Sequence, residues 1–376
     1  MPNHATEQTI PETTPTSLPT VTVIMPIRNE AVYIEQTVRT LQVQDYPADR
    51  LEILLVDGMS DDGTREILAR LLAGNPDFNA TMLDNPQQIV PTALNIALRH
   101  AQGEIIVRMD AHNEYEADYV RQVVTLRERT NADNAGGILI PVGTNYVQRA
   151  ICSAFNSSIS VGGSFQGHAV GGISGILSGE QEAGTHQDNQ VNEVDTVHGG
   201  CWRRERLFEI GLFDESMVRN QDDELSFRLR KAGGTIVQSQ GIQVRYHVRG
   251  SFRKLFKQFA QYGYWKIPVI RRHPKQASVR HAIPAIFVSS LFTLVVLTFF
   301  WKLAAWGLGA LVVVYLTALV LAAIRTTGTR QWMLWPGVLL AIMVIHFGFG
   351  LGFLTGIARL VFGTLPTDAF FERTTR

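Results

Sequence analysis

At 376 residues the chain is long enough for about two domains. Lys plus Arg and Asp plus Glu each number 34, so overall charge gives no case for a nucleic-acid partner. The two cysteines, Cys152 and Cys201, are far apart and form no Cys-x-x-Cys pair, which leaves neither a disulfide framework nor a cysteine zinc site.

Residues 1–20 are rich in Thr and Pro, carry Glu7 and Glu12 and lack an apolar run, so they read as a disordered tail rather than a signal peptide. Val21–Met25 is the first predicted strand, ended by Pro26. Asn29 suits the N-cap of a helix whose buried face is Ile34, Val38 and Leu41. Leu51–Val56 is a second strand running into Asp57-Gly58. Asp62 caps a helix with the stripe Ile67, Leu68, Leu71 and Leu72, and Pro91 opens a third helix buried through Leu94, Ala97 and Leu98. Ile105-Ile106-Val107 then forms a short buried strand that stops at Asp110-Ala111-His112. Strands alternating with helices in this way predict βαβ units and a largely parallel sheet.

Beyond residue 135 the pattern loosens. Residues 162–200 are Gly-rich and aperiodic, the signature of a long functional or disordered loop. Order returns at Val194–Gly200, and an amphipathic helix is expected over Leu225–Lys231. Residues 249–281 interleave Arg253, Lys254, Lys257, Arg271 and Arg272 with aromatic side chains, which predicts interfacial helices lying on anionic lipid. Residues 283–324 carry one charge, Lys302, and residues 331–358 carry none. Three membrane spans follow, near 283–301, 303–324 and 335–357, since about 20 apolar residues cross a bilayer. The flanking basic residues place the part before the spans in the cytoplasm. The side of the C-terminus stays open, because the last segment either spans or re-enters. Gly348, Gly352 and Gly356 predict a close helix–helix contact.

In an open α/β sheet, ligands bind outside the carboxyl ends of the strands. Asp57 and Asp110 end two strands there, and Asp222 lies just ahead of the helix at 225. An Asp-x-His pair such as Asp110 and His112 offers oxygen and nitrogen ligands to Mn²⁺ or Mg²⁺, the imidazole favouring Mn²⁺. The alternative is a capping Asp beside a surface His. No P-loop and no Gly-x-Ser-x-Gly elbow is present.

Three stretches carry a resemblance: Val23–Glu30 (VIMPIRNE), Val56–Thr64 (VDGMSDDGT) and Arg108–His112 (RMDAH). In order, they resemble glycosyltransferase family 2. Asn85-Pro86, Val90–Asn95, the Asp-Ala-His ending and Val194–Glu205 are similar to its succinoglycan-biosynthesis ExoA-type branch, over about residues 21–265. The resemblance implies an α/β GT-A fold, Rossmann-like with a mostly parallel sheet, over 21–248. Interfacial helices at 249–281, a transmembrane region at 282–363 and a tail at 364–376 complete the expected organisation. It further implies that Asp57 contacts the uracil or ribose of a UDP-sugar, with Pro26, Arg28 and Glu30 walling the base. Asp110 would hold ribose and a divalent metal (Mn²⁺ or Mg²⁺), with His112 in place of the usual second Asp. Asp222 matches the Asp of the acceptor motif and would be the catalytic base, with Asp223 as the alternative. Gln221 stands where the family has Glu, and the processive Gln-x-x-Arg-Trp motif is unmatched.

The expected activity is inverting transfer of glucose from UDP-glucose to a lipid-linked oligosaccharide in exopolysaccharide biosynthesis. The site would lie on the cytoplasmic face of a bacterial inner membrane, against anionic lipid. A processive polysaccharide synthase, or a catalytically silent scaffold that binds nucleotide sugars, are the alternatives.

Overall fold

The computed structural model describes residues 18–160, 191–274, 278–363 and 370–371. Most of the expected disordered tail, the Gly-rich stretch 161–190 and most of the C-terminal tail lie outside the described residues.

Strands β1 (Val21–Ile27), β2 (Leu51–Asp57), β3 (Ala80–Asp84) and β4 (Ile105–Arg108) pair in parallel in the order β3-β2-β1-β4. Helices α1 (Ile34–Gln42), α2 (Thr64–Ala73) and α3 (Val90–His100) alternate with them. Both faces of β1 are buried: Val21, Val23, Met25 and Ile27 join the core under α1, and Ile24 joins the core under α3. That is the near-continuous apolar run a doubly covered parallel strand needs.

Pro26 lies inside β1, where the sequence had it ending the strand. At Pro26 the pairing to β4 has already stopped, so its missing N–H leaves no ladder bond unmade. Asn29 is not an N-cap: it has φ 55°, its N–H bonds Ser60 Oγ at 2.9 Å, and α1 begins only at Ile34.

The second half departs from a parallel sheet. β5 (Asn113–Tyr115), α4 (Tyr119–Thr130), β6 (Asn134–Val142), α5 (Tyr146–Phe155), β7 (Val191–Glu193), β8 (Cys201–Arg203), α6 (Arg204–Glu209), α7 (Gln221–Lys231) and β9 (Ile236–His247) follow. β8 lies antiparallel between β4 and β6, β6 pairs parallel with β9, and β5 and β7 add antiparallel to β9. The result is one nine-stranded mixed sheet. A Cβ on Gly137, at the β6 register shift, would sit 2.2 Å from Ile242 O, so only glycine admits β9 there.

Helix α8 (Phe252–Arg272), capped by Ser251, carries the basic and aromatic residues. It is largely built into the protein rather than lying free on its surface: Leu255 and Phe259 belong to the same core as β1 and β2. Three further helices, α9 (Val279–Thr298), α10 (Lys302–Thr327) and α11 (Trp335–Phe362), are long and apolar enough to cross a membrane. They differ in burial. α9 and α10 bury few residues and meet at a tip of exposed Phe299, Phe300, Trp301 and Trp306, whereas half of the apolar window that includes α11 is buried.

The partner of the glycine stripe is α8. Gly348 faces Phe256 and Phe259, Gly352 faces Ala260, and Gly356 faces Tyr264 and Ile267, so the two helices run parallel at backbone contact. Gly263 of α8 completes the seam against Phe349. At the start of α11, Tyr146 Oη bonds Met333 O at 3.0 Å and accepts from Gly337 N at 3.1 Å. At its end, Arg359 bonds Tyr264 Oη, and Phe371 stacks on Tyr264 with ring centroids 4.2 Å apart. The start of α11 therefore rests on α5 and its end on α8.

A Cβ at position 352 would lie 2.0 Å from Ala260 O, whereas one at Gly309 meets nothing. Gly352→Val should accordingly destabilise the protein by about 1–3 kcal/mol. Gly309→Val, in the exposed face of α10, should leave thermal unfolding in detergent nearly unchanged.

Candidate active site

Successive side chains on an extended segment alternate faces, so Arg108, the last residue of β4, and Asp110, two residues on, point the same way. Their pairing is bidentate: Arg108 Nε donates to Asp110 Oδ1 at 2.8 Å and Nη2 to Oδ2 at 3.3 Å. The remaining Nη1 bonds Asp222 Oδ1. Arg108 thus joins two carboxylates from opposite ends of the domain, with its own side chain only 5% exposed.

The two acids are not equivalent. Burial would raise the Asp110 carboxyl, but Arg108, then His198 and His112, hold it well below the usual aspartate range. Burial raises the Asp222 carboxyl above that range; Arg108 opposes the rise and the nearby Asp110 charge adds to it. Asp222 nonetheless keeps 30% of its side-chain surface and faces the cavity.

That cavity, of about 920 Å³, is bounded at the sheet end by Pro26, Arg28, Glu30, Asp110, His112 and Asp222. Six of the seven sequence-nominated residues are therefore brought together. Asp57 lies just behind the wall, fully buried, accepting from Ser60 N (3.0 Å), Ser60 Oγ (2.6 Å) and Arg65 (2.5 Å). It shapes the turn whose Gly58 lines the cavity, and Arg28 donates to Gly58 O at 2.7 Å.

The expected Asp-x-His pair is divided. His112 Nδ1 lies 3.5 Å from Glu30 and its ring packs edge-on against Tyr246. His198 reaches Asp110 instead, with Nε2 3.2 Å from Oδ2. Asn113 Nδ2 also approaches His198 Nε2 at 3.0 Å, and Asn113 Oδ1 is buried with no partner among the described residues. Adjacent ligands of an octahedral ion bound at about 2.1 Å stand roughly 3 Å apart, which is the Asp110–His198 spacing. Among the described residues no three His, Cys, Asp or Glu enclose a cation. The donor set therefore fits an ion whose remaining ligands come from a bound phosphate and water.

Asp222 sits in the first turn of α7, not ahead of the helix, because the helix begins at Gln221. Asn220, at φ 60°, makes the sharp entry, and the helix N-terminus favours the three consecutive acids Asp222, Asp223 and Glu224. Asp223 pairs with Lys266 of α8 at 2.6 Å, while Glu224 takes Arg228. Arg108 and His198 were not nominated from the sequence. The same-face spacing of residues 108 and 110 signals the first. His198 reaches Asp110 only through the β8 pairing, which no local pattern announces.

A family profile described as "Glycosyl transferase family 2" matches residues 22–201. The "Succinoglycan biosynthesis protein ExoA" of Rhizobium meliloti is 30% identical over 264 residues, covering 70% of this chain and 73% of that protein. A Methanococcus voltae dolichyl N-acetyl-alpha-D-glucosaminyl phosphate 3-beta-D-2,3-diacetamido-2,3-dideoxy-beta-D-glucuronosyltransferase is 23% identical over 90% of this chain and 97% of its own length. Among solved structures, the mannosyltransferase PcManGT from Pyrobaculum calidifontis, in complex with GDP-Man and Mn²⁺, superposes with a TM-score of 0.55 at 20% identity, covering 93% of this chain and 88% of that one.

Arg108→Met would leave Asp110 and Asp222 buried together without their cation. Breaking such a pair costs about 3–5 kcal/mol, so a large fall in Tm is expected, with Arg108→Lys recovering the charge but not the two-carboxylate fork.

Proposed function

The chain belongs to glycosyltransferase family 2, and from that membership we propose that it is an inverting enzyme acting on a lipid-linked acceptor, with Asp222 as the base. The observation that carries the reading is Asp222 itself. It is a cavity-facing carboxylate whose affinity for a proton is raised, set apart by Arg108 from a neighbour whose affinity is lowered. Two acids driven in opposite directions at one site divide the labour of acid–base chemistry.

In this reading Asp222 takes the proton of the acceptor hydroxyl as its oxygen bonds to the sugar's anomeric carbon. The bond to the nucleoside diphosphate breaks on the opposite face, inverting the configuration. Pro26, Arg28 and Glu30 wall the nucleotide, and Asp57 supports the Gly58–Ser60 turn beside the base. Asp110 with His198, and His112 beyond, would hold Mn²⁺ or Mg²⁺. Such an ion, when bound, neutralises the charge growing on the leaving diphosphate. UDP-glucose is the donor we propose to test first, alongside other UDP- and GDP-sugars. The names of the relatives, one in succinoglycan biosynthesis and one acting on a dolichyl phosphate, support an exopolysaccharide pathway with a lipid-linked acceptor.

General-base assistance contributes about 10²–10⁴-fold. Asp222→Asn should lose kcat on that order while donor Kd stays near wild type, and Asp223→Asn should lose much less. Because the Asp222 carboxyl is raised, wild-type activity should fall with decreasing pH at a value above that of an ordinary aspartate. Near-normal turnover in folded Asp222→Asn would remove it from the mechanism.

We further propose that the catalytic half faces the cytoplasm of a bacterial inner membrane. α9, about 30 Å long at 1.5 Å per residue, and α10 would cross as a hairpin whose aromatic tip reaches the far interface. Exposed Arg253, Lys254 and Arg271 of α8 would meet anionic lipid at about 1 kcal/mol each. Since α11 starts against α5, ends against α8 and packs along α8 through its glycine seam, α11 would lie along the near interface, returning the C-terminus to the cytoplasm. A reporter fused at residue 376 should read cytoplasmic, and Phe300→Cys should be labelled from outside. A periplasmic signal at residue 376 would make α11 a third span.

A further inference from the structure

Phe370 and Phe371, near the C-terminus, lie against α8 beside the entry to α7. Phe371 is 6% exposed, in one buried cluster with Met217 and Val218 of the segment leading into α7, Phe227 of α7, and Tyr264 and Trp265 of α8. Its ring lies within 3° of parallel to that of Tyr264. Its carbonyl accepts from Trp265 Nε1 at 3.1 Å and from Gln261 Nε2 at 3.3 Å, and Gln261 Nε2 also donates to Phe370 O at 3.4 Å. Gln261 is fully buried, and the other end of its amide turns toward the site, where Oε1 accepts from Arg219 Nε at 3.3 Å. Arg219 lines the cavity and stands three residues ahead of Asp222. Carbonyls only accept and a guanidinium only donates, so the two C-terminal carbonyls and Arg219 together fix one orientation of the Gln261 amide. Turned over, the amide would set Oε1 against carbonyl oxygens and Nε2 against a cation.

We infer that Gln261 and Phe371 are positioning residues for the reaction: with Phe371 seated on α8, Arg219 is held at the cavity wall and Asp222 is held in register with Arg108. The inference rests on the transferase reading above and adds the C-terminal residues to what that reaction needs. Neither Gln261 nor Phe371 lines the cavity, so both act through Arg219 and α7. The entry to α7 is held residue by residue. Met217 and Val218 are packed in the cluster that Phe371 closes, Arg219 is held by Gln261, and Asn220 by its Nδ2 on Tyr262 O at 3.2 Å. Removing Phe371 takes away the packing of the first two and the carbonyls that orient Gln261. The base then hangs on the later links alone, and a displacement of about 1 Å at a reacting group costs on the order of 10²-fold in rate. Strands β1, β2 and β4, which carry the nucleotide side, contribute no residue to the Phe371 cluster. Donor binding and catalysis therefore separate.

The test uses the full chain in detergent, with UDP-glucose as the donor probe and its hydrolysis, water standing in for the acceptor hydroxyl, as the rate. Hydrogen exchange over residues 217–231 is followed on the same samples. Phe371→Ala removes the ring, and Gln261→Met removes both ends of the amide while leaving the apolar cluster intact. Each should lower kcat by about 10–100-fold, with donor Kd within about twofold of wild type. Exchange should quicken in the first turn of α7 and stay unchanged in β1. Phe371→Leu, which still fills the cluster and keeps the carbonyl, should recover kcat to within about threefold of wild type. Should Phe371→Ala fail to fold, Gln261→Met decides. Wild-type exchange in α7 and wild-type kcat in folded Gln261→Met would overturn the inference and leave the transferase reading intact. A loss of donor affinity in step with kcat would overturn it too, by making the C-terminal contact a general prop of the fold. A wild type that binds neither UDP-glucose nor any other UDP- or GDP-sugar would instead overturn the transferase reading, and this inference with it.

Discussion

The arrangement depends on one guanidinium shared by two carboxylates. Arg108 stays charged at any pH the protein meets, and its planar fork holds one acid with two nitrogens and the other with the third. Burying three charges is costly, and the cost is offset only because each finds an opposite partner within hydrogen-bond distance. The geometry also makes the acids unequal. Asp110 receives Arg108 and His198 and is held ionised; Asp222 receives one bond, lies beside another anion, and is drawn toward protonation. An acid held ionised and an acid drawn toward protonation therefore stand side by side without collapsing into one shared proton.

How far this was legible from the chain varies with the range of the contacts. The βαβ half was readable because its signals are local: alternating apolar stretches, Pro91 in a first turn, Asp62 closing onto Thr64. The ends of β2 and β4 placed Asp57 and Asp110 correctly along the sheet edge. β3 and β5 to β9 went unread. β6 passes through Gly136-Gly137 and a register shift, and the short antiparallel strands depend on partners tens of residues away. His198 is the clearest case, because its meeting with Asp110 is a product of β8 lying against β4 and exists nowhere in local sequence. The glycine stripe at 348, 352 and 356 announced a close contact but not its partner, since α8 is charged enough to read as a surface helix.

That seam is what makes the apolar C-terminal region part of the catalytic structure rather than an appendage. Glycines on α11 and Gly263 on α8 bring backbones together where any side chain would collide. The apolar core then runs without interruption from β1 and β2 through Leu255 and Phe259 to Leu319, Val338 and Ile342. α8 carries its lysines and arginines on the remaining face, and part of that face is already engaged: Lys266 with Asp223, Arg272 with Asp214 and Ser216. Such a helix satisfies two surroundings at once, a packed interior and a polar boundary.

A physical path follows from these contacts, from the apolar helix α11 to Asp222. α11 fixes α8 through the glycine seam, and α8 fixes α7 through Lys266 on Asp223 and through Tyr262 O, which accepts from Asn220 at 3.2 Å. α7 carries Asp222 to Arg108, and Arg108 ends on Asp110 at the sheet. Every link is a packed or charge-paired contact between elements, so the position of Asp222 is set as much by the apolar helices as by the sheet. Asp222, the base under the proposed function, is held from the other side, by the helices with membrane-spanning composition.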